Sequence, residues 1–289
     1  MNNVYFTPYR ISTITCNADI GNNININLLL LFENITIIEN TNNNFIWIQY
    51  LKENIDKSRG INPKKKRKNK KEQNKKCRFD NQITAIYKIN DIYKPNIKIF
   101  KNGNIQFTGI KNTDDVKEIV SKLIYEIKLI YSKNNDLLFD TDINNLNYQN
   151  LIIRMINTDF KVFVNKELTN QYLIKRKNLH LLLISDIYNN KCSFQPGIYH
   201  GVKLEFFWNT INSVNNGICN CSNHCFGKGN GTSINNCKKI TIAIFESGSI
   251  LITGGVNFNQ IDEAYNYICS ILKKHEDTVR KINIIAVDS

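Results

Sequence analysis

The chain carries the same hairpin pattern twice, which points to a fold of two related halves. Residues Ile97–Gly109 (IKIFKNGNIQFTG) align without gaps on Ile242–Gly254 (IAIFESGSILITG), 145 positions later. Seven of the thirteen positions are identical, and fixed-period self-similarity is the mark of a repeated structural unit. Each segment alternates in hydrophobicity up to Asn102-Gly103 or Ser247-Gly248, which predicts two strands closed by a two-residue turn. A helical pattern follows each hairpin. In the first copy Val116, Ile119, Val120, Leu123, Ile124, Ile127 and Ile130 recur at helical spacing, with Thr113 as N-cap and Asp114 and Asp115 in the first turn. In the second copy Ile261, Ala264, Tyr265, Ile268 and Leu272 do the same, with Asn259 as cap and Asp262 and Glu263 behind it.

The halves also begin alike. Asn17–Ile20 resembles Asn157–Phe160, and Asn25 and Leu28 then match Asn165 and Leu168. Each half therefore reads as strand, short helix, several strands, long helix. We expect a first repeat over 8–133 and a second over 149–280. The class is α+β: two pseudo-symmetric repeats pairing their strands into one curved antiparallel sheet, with helices on one face. The other face is left bare, and a bare sheet must meet something. A twisted sheet of that width suits the minor groove of a duplex.

Charge is unevenly distributed. The formal net charge is +13, of which 62–78 (NPKKKRKNKKEQNKKCR) carries +9. Self-repulsion keeps such a run extended and solvated. Lys64, Lys65, Lys66, Arg67, Lys68, Lys70 and Lys71 read as an arm on nucleic-acid phosphates, as a nuclear import signal, or as a charged loop insertion.

A second insertion, over 215–238, is rich in cysteine. Cys219, Cys221, Cys225 and Cys237 follow the spacing C-x-C-x3-C-x11-C, with His224 among them. Four thiolates so close together suffice for a tetrahedral zinc site, and a four-cysteine shell has no open position for water, so such a site is structural. Gly217, Gly227, Gly229 and Gly231 give the loop freedom to wrap an ion. Free thiols and a disulfide pair are the alternatives. Cys16, Cys77, Cys192 and Cys269 are scattered and read as core or incidental.

Several classes are disfavoured. Hydrophobic residues make up 42% of the chain, enough for a core. The most apolar stretch, Ile26–Ile38, is broken by Glu33 and several Asn, so no membrane span is expected. Met1–Arg10 lacks the apolar run of a secretory signal, and the chain is expected not to be secreted. The histidines lack a nucleophile or carboxylate partner in sequence. Gly227–Thr232 (GKGNGT) lacks the order of a phosphate-binding loop. No enzymatic activity is expected.

The two hairpins resemble the paired Phe-x-Ser-Gly hairpins of TATA-box-binding proteins. "ISTIT" near the start is similar to the first strand of that family, and Phe194–Phe207 (FQPGIYHGVKLEFF) to a strand of its second half. The basic run, the segment Met155–Leu168 and the Cys-rich insertion resemble the branch found in large DNA viruses. The resemblance covers roughly 8–280 and implies a saddle. Its function would be transcription initiation: binding AT-rich promoter DNA in the minor groove and recruiting an RNA polymerase or factor-IIB-like protein, as a monomer. It implies action in the host nucleus or a cytoplasmic viral factory, with packaging in the virion as a further location.

That family is itself the type example of minor-groove wedging, with pairs of Phe inserted between base steps. By resemblance Phe100 and Phe245 take the hairpin wedge positions, Tyr199 the partner position of the second half, and Gln82 that of the first, where the wedge is lost. Thr108 and Thr253 match the Thr that faces the groove, and Gln106 and Leu251 the apolar positions lining it. The family's phosphate-holding arginines fall on Lys88 and Glu205, and its post-turn lysines on Asn104 and Ser249. Those departures leave a second reading open: an interaction scaffold of the same fold that no longer bends DNA.

Overall fold

The computed structural model describes residues 4–52, 55–63, 82–212, 215–223 and 225–282. Thr13–Arg154 form one compact unit, and the described residues on either side of it form another. The chain opens with β1 (Tyr5–Phe6) and β2 (Arg10–Asp19), then α1 (Leu28–Asn34), β3 (Asn44–Lys52), β4 (Ile55–Gly60), β5 (Gln82–Lys88), β6 (Asn96–Phe100), β7 (Asn104–Ile110) and α2 (Asp114–Tyr131). It continues with β8 (Gln149–Phe163), β9 (Leu173–Ile174), α3 (Arg176–Ile184), β10 (Lys191–Gln195), β11 (Tyr199–Trp208), β12 (Lys238–Ile244), β13 (Ser249–Gly255) and α4 (Phe258–Lys274). Both units are α+β, as the sequence predicts.

In the first unit the strands run β2-β7-β6-β5-β3-β4, all antiparallel. In the second they run β8-β13-β12-β11-β10, also antiparallel. These orders are the same once β4 is set aside as an extra edge strand. The repeat is thus one of topology as well as of sequence. Its two insertions fall at different places: the basic one follows β4, and the Cys-rich one joins β11 to β12.

Period-two alternation sorts the side chains of each sheet. In the first unit Cys16, Ala18, Ile83, Ala85, Ile97, Ile99, Ile105 and Phe107 are buried. They lie under the apolar stripe of α2 (Val116, Ile119, Val120, Leu123, Ile127, Ile130) and under Leu28, Leu31 and Phe32 of α1. In the second unit Phe160, Val162, Val202, Leu204, Phe206, Ile242, Ile244, Ile250 and Ile252 meet α4 (Ile261, Ala264, Ile268, Ile271, Leu272) and Leu179 and Leu183 of α3. Burying each valine, leucine, isoleucine or phenylalanine among them contributes about 1.5–3 kcal/mol.

The structure corrects four local expectations. The hairpins do not close as two-residue turns. Gly103 N–H donates to the Phe100 carbonyl and Gly248 N–H to that of Phe245. The loops are three residues long and end on a left-handed glycine, the arrangement of a turn with a bulge. Thr113 precedes α2, but its side chain makes no cap bond; Asn112 Oδ1 accepts from Asp114 N–H instead. The cap of α4 is Asn257, accepting from Gln260 N–H, so this helix starts two residues before the expected Asn259. Leu28 opens α1, whereas Leu168 sits in a loop at φ 56°, so their match in sequence is not one of structure.

The N-terminal segment packs against the second unit. Tyr5 and Phe6 pair with Phe163 and Val162 of β8. The Tyr265 hydroxyl donates to the Thr7 carbonyl, and Tyr9 donates to Asp262 at 2.6 Å. Residues 4–12 thus belong to the second unit, strapped over α4.

Two glycines with left-handed backbone, Gly248 in the second hairpin loop and Gly109 within β7, carry a stability prediction. Gly248 has φ +73°, and a Cβ there would lie 2.4 Å from the Tyr172 carbonyl oxygen. Gly109 has φ +87° but nothing nearer than 3.7 Å. Gly109→Ala should cost only the left-handed strain, about 1–2 kcal/mol. Gly248→Ala should cost clearly more, because backbone must shift as well. Chemical denaturation midpoints of the two variants check the order.

Candidate nucleic-acid interface and metal centre

The side chains alternating away from the helices form cross-strand rows. In the first unit one row runs Asn17, Gln106, Lys98, Thr84, Gln49, Ser58, and the next Thr108, Asn96, Ile86, Trp47. Phe100 stands directly opposite Gln82, which is opposite Leu51. Phe100, Gln106 and Thr108 are half-buried. Gln82 is 8% exposed. Lys88 is nearly as buried, and its ammonium pairs with the exposed Asp91 at 2.7 Å. Trp47, Ile86 and Ile46 make a small apolar cluster at the outer strands, which the sequence reading did not single out.

In the second unit the rows are Asn157, Thr253, Thr241, Glu205, Lys191 and Asp159, Leu251, Ala243, Lys203, Ser193. Leu251 and Thr253 are half-buried. Phe245 and Tyr199 meet edge to face, with ring centroids 5.8 Å apart. Tyr199 is 41% exposed. One step past the last ladder pair, Val202 with Ile244, Gly201 rather than Tyr199 comes opposite Phe245. A Cβ on Gly201 would lie 2.9 Å from the Tyr199 ring and 3.2 Å from the Phe245 ring. The missing side chain is what lets both rings close over that position. The two halves therefore differ at their tips: an aromatic pair over glycine in one, a phenylalanine beside a glutamine in the other.

Two asparagines complete the rows. Asn17 and Asn157, each on the strand bearing the repeated start motif, have a buried Oδ1 with no hydrogen-bond partner. A buried amide oxygen left unpaired costs about 1–3 kcal/mol. Their only signal in the sequence is the weak Asn17/Asn157 match.

The predicted basic arm, Lys64 to Lys71, lies outside the described residues, as do Cys77 and His224.

The cysteine cluster is assembled as the spacing suggests. The sulfurs of Cys219, Cys221, Cys225 and Cys237 all lie within 4.8 Å of one another. Cys237 Sγ is 3.4 Å from Cys221 Sγ and 3.9 Å from Cys219 Sγ. A tetrahedral zinc with bonds of about 2.3 Å sets its sulfurs about 3.8 Å apart, so the donor set fits such an ion. Burial acts to raise the Cys225 thiol, but N–H groups of Gly227 and Cys237 and the neighbouring Cys221 and Cys237 outweigh it and hold it below its ordinary value. Burial pushes Cys237 up to about 12, opposed by a bond from the Asn209 amide. The loop is tied to α4 as well: Gln260, fully buried, accepts from Val256 N–H and donates to the Asn230 carbonyl, and Asn215 donates to Glu263. Among the described residues no other group of cysteine, histidine or carboxylate is placed to hold a metal. Cys16, Cys192 and Cys269 lie apart from it, with thiols pushed up to about 11, 12 and 12 by burial.

Comparison with known proteins places this geometry in a family. The family described as "Transcription factor TFIID (or TATA-binding protein, TBP)" matches residues 232–275, the second hairpin and α4. A "TATA-box-binding protein-like" protein of Acanthamoeba polyphaga mimivirus is 31% identical over 216 residues, or 72% of this chain. The chain belongs to the TATA-box-binding-protein-like family. It spans about half the length, 50%, of that viral relative. Among solved structures, the TBP of Methanococcus jannaschii aligns over 93% of this chain and 99% of its own, at 14% identity and a TM-score of 0.45.

Proposed function

We propose that this TATA-box-binding-protein-like chain is a transcription initiation factor of a large DNA virus, binding AT-rich promoter DNA in the minor groove through the helix-free sheet faces. The observation that carries the reading is the Phe245–Tyr199 pair at the tip of a face whose inner rows hold Thr253 and Asn157. Apolar and aromatic side chains at such a tip suit insertion between base steps. The minor groove of A·T pairs offers only acceptors, A N3 and T O2. The Thr108 and Thr253 hydroxyls and the amides of Asn17 and Asn157 can supply donors to them. In this reading the helix-covered faces recruit an RNA polymerase or a factor-IIB-like protein. The chain acts as a monomer, in the host nucleus or a cytoplasmic viral factory, or from the virion. The four cysteines hold one structural zinc ion, whose chemistry is to cross-link a loop and not to react.

The test is bending of a doubly labelled AT-rich duplex, followed by energy transfer near physiological salt, with a GC-rich duplex as control. We expect bending on the AT-rich duplex alone, abolished by Phe100→Ala with Phe245→Ala. Equal binding to both duplexes without bending, lost with salt, would overturn the reading in favour of the basic run and a protein scaffold.

A further inference from the structure

Glu205 is the residue that fits a DNA-binding face least, and its surroundings explain it. It lies on the helix-free face of the second unit, directly opposite Lys191 on one side and Thr241 on the other. Its Oε2 takes the Lys191 ammonium at 3.0 Å and its Oε1 the Lys239 ammonium at 3.3 Å. The carboxylate is 19% exposed, against 68% for Lys191 and 35% for Lys239. Burial acts to raise its pKa, but the two lysines outweigh that and hold it below its ordinary value, so it is ionised at neutral pH. Lys203, two residues earlier in β11, is exposed on the same face. Asp159 on this face is also paired, with one cation and one hydroxyl: it accepts from Arg10 Nε at 2.6 Å and from Ser12 Oγ. Arg10 is 81% exposed. A carboxylate with one cation beside each oxygen carries the same single negative charge as a phosphodiester.

We propose that Glu205 is a built-in stand-in for a DNA phosphate: it holds Lys191 and Lys239 as a two-pronged phosphate clamp and releases them when a duplex phosphate takes its place. This rests on the duplex-binding reading above. The exchange is favoured by the exposure of Lys191 and Lys239, which can swing off the carboxylate into solvent, and by the condensed counterions that each phosphate contact releases. It also leaves a carboxylate beside the duplex. The wild-type surface therefore binds DNA more weakly than its lysines alone would make it, which suppresses attachment driven by charge only.

The experiment is the salt dependence of duplex affinity for four proteins of the full chain. Glu205→Gln should bind several-fold more tightly than wild type, with a log–log salt slope steeper by about 0.9. Lys191→Gln with Lys239→Gln should make the slope shallower by about 0.9 for each lysine engaged. Asp186→Asn, the same charge change at an exposed acid following α3, controls for net charge, and thermal melting of each variant controls for folding. A wild type that bends the AT-rich duplex through Phe245, while the lysine variants keep its slope and Glu205→Gln matches Asp186→Asn, overturns the clamp alone. A wild type that binds no duplex overturns both the clamp and the reading beneath it.

Discussion

Cys237→Ser is expected to abolish zinc binding, taking metal content from about one ion per chain to none, and to open the loop between β11 and β12. Cys237 is the most buried of the four thiols, with its sulfur 3.4 Å from that of Cys221 and 3.9 Å from that of Cys219. The rest of the loop is held by backbone and asparagine hydrogen bonds rather than by an apolar core. Its backbone bends through left-handed glycines at 217, 227 and 231, and its apolar side chains Phe226 and Ile234 point outward, 66% and 70% exposed. Structural zinc binds with an apparent free energy on the order of 10–16 kcal/mol in small finger peptides, so its loss should outweigh the loop's hydrogen bonds, each contributing about 0.5–1.5 kcal/mol net. Amide exchange should show it directly: the N–H groups of Gly229 and Gly231, bonded to the Cys237 and Asn236 carbonyls, should lose protection. The ladder from Val202–Ile244 to Phe206–Ile240 should keep its own. Cys192→Ser and Cys269→Ser should leave the metal bound. One zinc per chain surviving in Cys237→Ser would exclude the four-cysteine site.

The cysteines were legible because all four lie within 19 residues of one another, and the loop closes locally. The repeat was legible for a related reason: a hairpin and the helix after it are short-range structures, each recorded by its own periodicity. What escaped depends on distant residues. Nothing in Tyr5–Phe6 says that their partners are Phe163 and Val162, because a ladder pairing is set by both strands and the sequence shows only one at a time. Position 113 illustrates a subtler limit. Threonine is a good cap residue, but Asn112, one position earlier, offers its amide to the same turn, and side-chain geometry chose between them. Likewise Tyr199 was found by its aromatic type, while Gly201, which makes room for it, carries no mark that could single it out before the rings are placed.

That glycine leads to the second large effect: the two halves should bend DNA unequally. Phe245→Ala with Tyr199→Ala removes two adjacent rings from a tip where they pack on each other. Base–aromatic stacking amounts to about 1–3 kcal/mol per ring, so the double variant should lose on the order of a hundredfold in affinity for the AT-rich duplex and most of its bend. Phe100→Ala removes one ring from a tip where the neighbour is Gln82, a buried amide that cannot wedge, and should cost roughly tenfold or less. The gain-of-function variant is Gln82→Phe. It rebuilds a ring pair on the ladder partner of Phe100 and should increase the bend beyond wild type without steepening the salt dependence, since no charge changes. The position of the donor and acceptor dyes can report the asymmetry: a bend centred under the second unit moves when the duplex is relabelled toward that end. Equal losses from the two alanine variants would mean that the tips act alike, and that the Phe245–Tyr199 contact packs the protein rather than entering the groove.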